Sequence, residues 1–365
     1  MTPATTPAPT DTRPLRAAIL GYGVSGRYFH GAFLGVDPSY VVALISTSNA
    51  DRAEQARADH PGVVVVEDPR SVAEHASDLD LAIVCTPPTS HVELAQLALR
   101  AGLDVVVDKP FAPSSAEGAE LIAEAESLGR RVTVFQNRRY DADFLTLRGL
   151  INNGALGNVH TLESRFEWWK PSGERSWKAS TTVGQGGGIL FDLGPHLIDQ
   201  AVQLFGPVTG LSASLRSVRT DGAPPSAGAE APENVAHLML THSDGVESHL
   251  SMSSLAAFAG PRFQVAGTAG AWRTFGKDPQ EAALRAGKLP DAPGFGGESP
   301  EQAGELSHGV EPARTAPGIG DYGRFYRELA WALHSGGPVP VDPWDAVDVL
   351  RLIEAAHRTA HPTHD

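Results

Sequence analysis

A short apolar run, Ala17 to Leu20, stops at Gly21 and continues as G-x-G-x-x-G through Gly21, Gly23 and Gly26. That spacing requires a sharp turn from a strand into a helix. The first glycine permits the turn, the second lets backbone approach a pyrophosphate, and the third lets helix and strand pack closely. The free N–H groups and positive dipole end of the helix then face the phosphates. Val24 and Ser25 lie inside the same loop. With 38 glycines in 365 residues the spacing could mark an ordinary turn, but its place directly behind an apolar strand predicts a dinucleotide site.

The next strand, Val41 to Ile45, runs into Ser46-Thr47-Ser48-Asn49 and carries no acidic residue at its tip. A carboxylate there would bind a ribose 2′-hydroxyl. Hydroxyl donors at Ser46, Thr47 and Ser48, with Arg52 nearby, suit a 2′-phosphate instead, because guanidinium matches phosphate with two parallel hydrogen bonds. NADP is therefore favoured and NAD is the alternative. Two other readings stay open: a Ser/Thr turn capping the next helix with Arg52 solvated, or Asp51 bending back to a ribose.

The length suits two domains. Residues 15–136 alternate apolar strands (16–20, 41–46, 63–66, 80–85, 104–107, 132–136) with helical stretches such as Val92 to Arg100 and Ser115 to Leu128. They predict a doubly wound parallel Rossmann sheet, an α/β domain. Residues 137–320 carry longer strand patterns at 159–169, 208–219, 234–242, 246–254 and 262–267, as in an open, mostly antiparallel α+β sheet domain. Low-complexity 221–232 reads as a hairpin loop and Gly/Pro-rich 286–320 as an irregular excursion. Residues 1–14 read as a disordered tail, and 321–365 as helices packing back on the first domain. A net charge of −14 argues against nucleic acid as a partner. The single cysteine, Cys85, lies in a core strand, which excludes a disulfide framework and a thiolate metal site. With no apolar run of about 18 residues, neither a membrane span nor a membrane partner is expected, and the predicted location is cytoplasmic.

Two further motifs carry chemistry. Strand 104–107 ends in Asp108-Lys109-Pro110, which puts Lys109 at the crevice where such sheets bind ligands. Gly186-Gly187-Gly188 precedes Asp192, His196 and Asp199, spaced i, i+4 and i+7 on one helical stripe. An Asp-His pair of this kind is often structural, and an isolated lysine is often a surface charge. Metal ligation lacks a third ligand at suitable spacing, so no metal is expected. Thr86, Pro87 and His91, after the fourth strand, are candidates to line the cofactor or merely to cap a helix. Asn137 and Arg138 could face nicotinamide or substrate. Trp168, Trp169, Arg175 and Trp177 could wall a sugar ring or serve packing. Tyr322 is a further candidate for the substrate pocket.

Taken together, these motifs resemble the Gfo/Idh/MocA oxidoreductase family, from Arg16 to about His357. The family signature is the glycine fingerprint, a Glu-Lys-Pro strand end and a glycine-rich Asp-x-x-x-His helix; Asp108 replaces the usual Glu. Tyr28-Phe29-His30, Asn137 to Asp141, Asp192 to Gln200 and Lys277 to Glu281 resemble the branch containing NADP-dependent scyllo-inositol dehydrogenases. The resemblance implies hydride transfer between nicotinamide and the carbinol carbon of a small polyol or sugar. His196 would be the acid/base, Lys109 would stabilise the reacting oxygen, and Asp192 would hold a neighbouring hydroxyl. It places Asp199 as an orienter of His196 or on a solvated face, and implies a homodimer or homotetramer. Another sugar or cyclic-ketone reductase is the second reading. A nucleotide-sensing regulator without chemistry is the third, disfavoured because Lys109, Asp192 and His196 are present together.

Overall fold

The computed structural model describes residues 13–171, 187–218 and 232–360. Most of the 1–14 tail and of the 221–232 loop, and both Arg175 and Trp177, lie outside the described residues.

Six parallel strands form the first sheet: β1 (Leu15–Leu20), β2 (Tyr40–Ser46), β3 (Val64–Val66), β4 (Leu81–Val84), β5 (Asp104–Val107) and β6 (Val132–Val134). Their order is β3-β2-β1-β4-β5-β6, reversing between β1 and β4 and leaving a crevice at the carboxyl ends of those strands. Helices cover both faces, so the strands read as near-continuous apolar runs; Ala17 to Leu20 and Leu81 to Val84 are fully buried. After the glycine turn the chain makes a wide π-type helical turn, Ser25–Gly31, before α1 (Ala32–Val36). The layer continues with α2 (Ala50–Asp59), α3 (His91–Arg100) and α4 (Ser115–Ser127). The Ser114 side chain caps α4 by accepting from the Glu117 N–H.

Following α5 (Ala142–Asn152), the second sheet begins with β7 (Val159–Glu167). Then come α6 (Ile189–Phe205), β8 (Val208–Arg216), β9 (Val235–His242), β10 (Glu247–Ser253), β11 (Phe263–Gly267) and β12 (Ala271–Thr274). With β13 (Glu305–Ser307) and β14 (Ala313–Arg314) added, the sheet order is β14-β13-β12-β11-β7-β10-β9-β8, antiparallel throughout except between β7 and β10. Alternation along β9 buries Ala236, Leu238 and Leu240 and exposes His237 and Met239. The buried face receives α6. Within the stretch read as irregular lie β13 (Glu305–Ser307) and β14 (Ala313–Arg314), too short to show a period-2 pattern, and before it the short α7 (Gln280–Arg285).

Two long helices close the chain, α8 (Gly323–Ser335) and α9 (Pro343–Ala360). Phe325 and Tyr326 of α8 bury their rings against Phe33, Tyr40 and Phe135 of the first domain. Each such side chain contributes about 1.5–3 kcal/mol relative to exposure. Helix α9 packs on α4 and β6 on one side and on α6 and β8 on the other, so it ties the two sheets together. Among the described residues no helix is long and apolar enough to cross a membrane.

Candidate active site

A cleft of about 960 Å³ opens at the carboxyl ends of the parallel strands and runs to the inner face of the second sheet. The glycine turn forms one end. A Cβ at Gly26 would stand 2.0 Å from the Gly21 carbonyl oxygen, so helix and strand meet backbone to backbone. A Cβ at Gly23 would meet only Arg52 Nη1, at 3.8 Å; the space above that glycine is open, as a pyrophosphate requires. The Ser46 hydroxyl, buried at the tip of β2, accepts from the Gly21 N–H at 3.0 Å and pins the turn.

Thr47 accepts from the Asn49 N–H, and Asn49 caps α2 by accepting from the Arg52 N–H. Capping thus uses the backbone of Arg52 and leaves its guanidinium over Gly23, without an ion pair among the described residues. Ser48 and Arg52 line the rim. Asp51 does not reach the cleft, whereas Glu67, just past β3, does. Nothing in the β2 pattern pointed to Glu67, because it arrives from the neighbouring strand.

Thr86 and Pro87 line the cleft. His91 does not. It is buried, with Nδ1 2.9 Å from the Pro110 carbonyl and Nε2 2.8 Å from that of Thr86. His91 is therefore a strap behind the cofactor wall, joining the turn after β4 to the turn that carries Lys109. The Ser25 hydroxyl donates to the Asp108 carboxylate. Burial alone would raise that carboxyl, but the nearby His30 ring and the Ser25 hydroxyl outweigh it and hold Asp108 at about 2. The residue replacing the customary Glu is thus a half-buried carboxylate joining the glycine loop to Lys109. Cys85 lies under the same loop with Sγ 3.0 Å from the Gly21 carbonyl, and burial pushes its thiol up, away from reactivity.

The other end of the cleft brings Lys109, Asp192 and His196 together. Gly188 (φ 96°) starts α6 in a conformation suited to glycine, and a Cβ there would collide with the Glu233 carboxylate at 2.3 Å. Glu233 needs that space because it caps the helix, accepting from the Leu190 N–H at 2.9 Å. The cap aims the first turns of α6 at β5. Lys109 Nζ donates to Asp192 Oδ1 at 3.0 Å and to its carbonyl at 2.7 Å, leaving a third N–H for a ligand. His196 is 5% exposed at the cleft wall, edge-on to Phe166. Its Nδ1 is buried without a hydrogen-bond partner among the described residues, which leaves Nε2 to meet a substrate. Burial, then the positive charges of Lys109 and Arg138, push the imidazole well below its ordinary range and keep it neutral.

Behind this wall sits a polar scaffold. Asn137 and Arg138 line the cleft. Arg138 is held by Glu281 (3.1 Å), the Tyr322 hydroxyl (2.9 Å) and Asp141 (3.4 Å). Tyr322, expected at the pocket, is fully buried and outside the cleft; it donates to Asp141 at 2.7 Å and supports Arg138. Asp199 also departs from expectation. It pairs with Arg139 at 2.5 and 2.8 Å, one turn round from His196, and Arg139 reaches Asp345 of α9. Asp199 shares the helical stripe but is offset about 60° from His196, enough to meet Arg139 in the segment before α5 and not the imidazole. Trp168 lines the cleft, whereas Trp169 is 56% exposed. Arg175 and Trp177 fall outside the described residues. Lys170, Lys277, Glu281 and Arg285 complete the wall; Lys277 and Glu281 lay in a motif marked by the family resemblance, whereas nothing in the sequence pointed to Lys170 or Arg285.

The family model described as "Oxidoreductase family, NAD-binding Rossmann fold" matches residues 15–136, and the "GFO/IDH/MocA C-terminal domain" matches 144–273. Scyllo-inositol 2-dehydrogenase (NADP(+)) IolW of Bacillus subtilis is 33% identical over 347 residues, 94% of this chain and 92% of that protein. D-glucoside 3-dehydrogenase of Escherichia coli is 28% identical over 216 residues, 59% of this chain and 61% of that protein. The solved structure of yvaA from Bacillus subtilis superposes with a TM-score of 0.88 at 31% identity, covering 96% of this chain and 97% of that one.

Proposed function

The chain belongs to the Gfo/Idh/MocA family of oxidoreductases, and from that premise we propose that it is an NADP-dependent enzyme exchanging a hydride with a secondary alcohol or ketone of a polyol related to scyllo-inositol. The observation that carries the reading is the convergence of Lys109, Asp192 and His196 beside an open glycine turn. The residues fit a dinucleotide: the space above Gly23 is clear and Arg52 overlies it. When bound, the nicotinamide supplies the hydride acceptor or donor.

In the oxidative direction His196, kept neutral by burial, takes the hydroxyl proton at Nε2. The spare N–H of Lys109 hydrogen-bonds the reacting oxygen and stabilises the alkoxide that develops. Asp192, anchored by Lys109, accepts from a neighbouring hydroxyl and fixes the ring orientation, a role suited to vicinal diols. In reduction the proton runs back from His196. Ser48 and Arg52 receive the 2′-phosphate. The name of the B. subtilis relative, an NADP-dependent inositol dehydrogenase, supports both cofactor and substrate class.

The test is the near-ultraviolet absorbance of reduced nicotinamide, followed with NADP or NAD against scyllo-inositol, myo-inositol and aldoses. NADP-dependent oxidation of an inositol is the expected result. Faster turnover with NAD overturns the cofactor assignment, and turnover confined to aldoses moves the substrate to sugars.

A further inference from the structure

The cleft wall around Trp168 is more cationic than a neutral polyol requires. Lys109 is matched by Asp192, and Arg138 by Asp141 at 3.4 Å and Glu281 at 3.1 Å, with Glu281 also accepting from Arg285 at 2.9 and 3.0 Å. Lys277, arriving from the turn after β12, has no carboxylate within ion-pair distance among the described residues. Its Nζ lies 4.9 Å from the Trp168 ring centroid, and Lys170 Nζ approaches the same ring at 5.7 Å. Arg138 in addition buries its Nε without a partner among the described residues. Lys277 is exposed, and what desolvation it has presses its ammonium below the ordinary range; Glu281 opposes this, and the like charges of Arg138, Lys170 and Arg262 add to it. Both lysines are exposed at the cleft mouth, where Lys277 presents a positive charge to any anion that enters. The chain as a whole carries −14, so this positive end is a local construction.

We infer that the substrate bears an anionic oxygen substituent, a carboxylate or a phosphate, which Lys277 receives beside Trp168 while the carbinol meets Lys109 and His196. The inference rests on the proposed reaction and narrows its substrate to polyhydroxy acids or phosphorylated polyols. Trp168 then offers an apolar face to the carbon skeleton between the charged group and the reacting hydroxyl.

The experiment compares binding to the NADP-saturated enzyme by calorimetry: glucuronate against glucose, and glucose 6-phosphate against glucose. One anionic ligand should bind at least about tenfold tighter than glucose, with the advantage shrinking as salt rises. Lys277→Met should remove most of that advantage and Lys277→Arg should keep it. The uronate and phosphate arms distinguish the two sources of charge. A measurement free of any sugar scaffold uses acetate and inorganic phosphate to perturb tryptophan fluorescence, with a response in wild type that Lys277→Met loses. Equal binding of neutral and anionic sugars, no response to either simple anion, or a preference that survives Lys277→Met overturns the inference. So does an anion preference present only without NADP, which would assign the charge to the cofactor's phosphates. Failure of every alcohol to turn over would count against the proposed reaction instead, because charge preference is read from binding.

Discussion

The two ends of the cleft are built by different means. At the cofactor end the work is done by backbone and contiguous sequence: the turn from Gly21 to Gly26, pinned by Ser46, and the strand tips at Ser46–Ser48 and Thr86–Pro87. At the reaction end, side chains converge from the end of β5, the segment after β6, the end of β7, the start of α6 and the turn before α7. A backbone site tolerates many side chains but few changes at its glycines. A side-chain site tolerates backbone drift poorly, since each group depends on a separate element. The histidines show the contrast. His91 has both ring nitrogens near carbonyls and serves as a strap, whereas His196 has a buried Nδ1, unpartnered among the described residues, and a face toward the cleft.

The largest effect should come from His196. His196→Ala is expected to lower turnover about 10²–10⁴-fold while NADP binding, measured by fluorescence, stays within about twofold. Comparable loss of cofactor affinity would break the separation between the two ends. Wild-type oxidation should also stay flat as pH falls through about 6.5, where a free histidine protonates. Burial lowers the His196 pKa, so the neutral base persists to lower pH and the acid limb lies below that value. An acid limb centred at the free-histidine value would count against a desolvated base.

Gly26→Ala tests the opposite end. Its added methyl group meets the Gly21 carbonyl at 2.0 Å, and the loop must move. Overpacking of this kind costs about 1–3 kcal/mol; NADP affinity should fall about 100-fold and thermal stability should drop. Arg52→Ala acts on the rim alone. Losing one charge-assisted contact should weaken NADP about tenfold and leave NAD within about twofold. Equal weakening of both cofactors would give Arg52 a general role, with Glu67 on the same rim offering a ribose contact instead.

The same division explains what the sequence could disclose. The glycine fingerprint and the six apolar strands were legible because each is local and periodic, and parallel strands buried on both faces leave continuous apolar runs. Lys109 and the Asp192/His196 pair were legible because they end a strand and open a helix. Glu67 was not, since strand adjacency is a property of the sheet order and not of the β2 pattern. Lys277 and Glu281 stood out only through the family resemblance of one motif, and Arg285 not at all, because the turn and the six-residue α7 that carry them have little periodicity. Asp199 and Tyr322 were placed near the reaction by spacing and type, whereas tertiary pairing gave Asp199 to Arg139 and Tyr322 to Asp141 and Arg138.

Tyr322 supplies the smallest and sharpest discriminator. Tyr322 does not line the cleft, yet its hydroxyl donates to buried Asp141 and accepts from Arg138, which does. Tyr322→Phe keeps the ring in its aromatic packing with Phe29 and Phe33 and removes that bridge alone. An unsatisfied buried group costs about 1–3 kcal/mol, so the variant should unfold at lower denaturant. Turnover should change only a few-fold, and mainly through KM, because Arg138 loses one of three partners while Lys109 and His196 keep theirs. A collapse of kcat with KM unchanged would put the hydroxyl in the proton path and require the cleft to rearrange around it. A loss of stability with a modest rise in KM would confirm that the reaction end depends on groups that never meet the substrate, which is the respect in which it differs from the glycine turn.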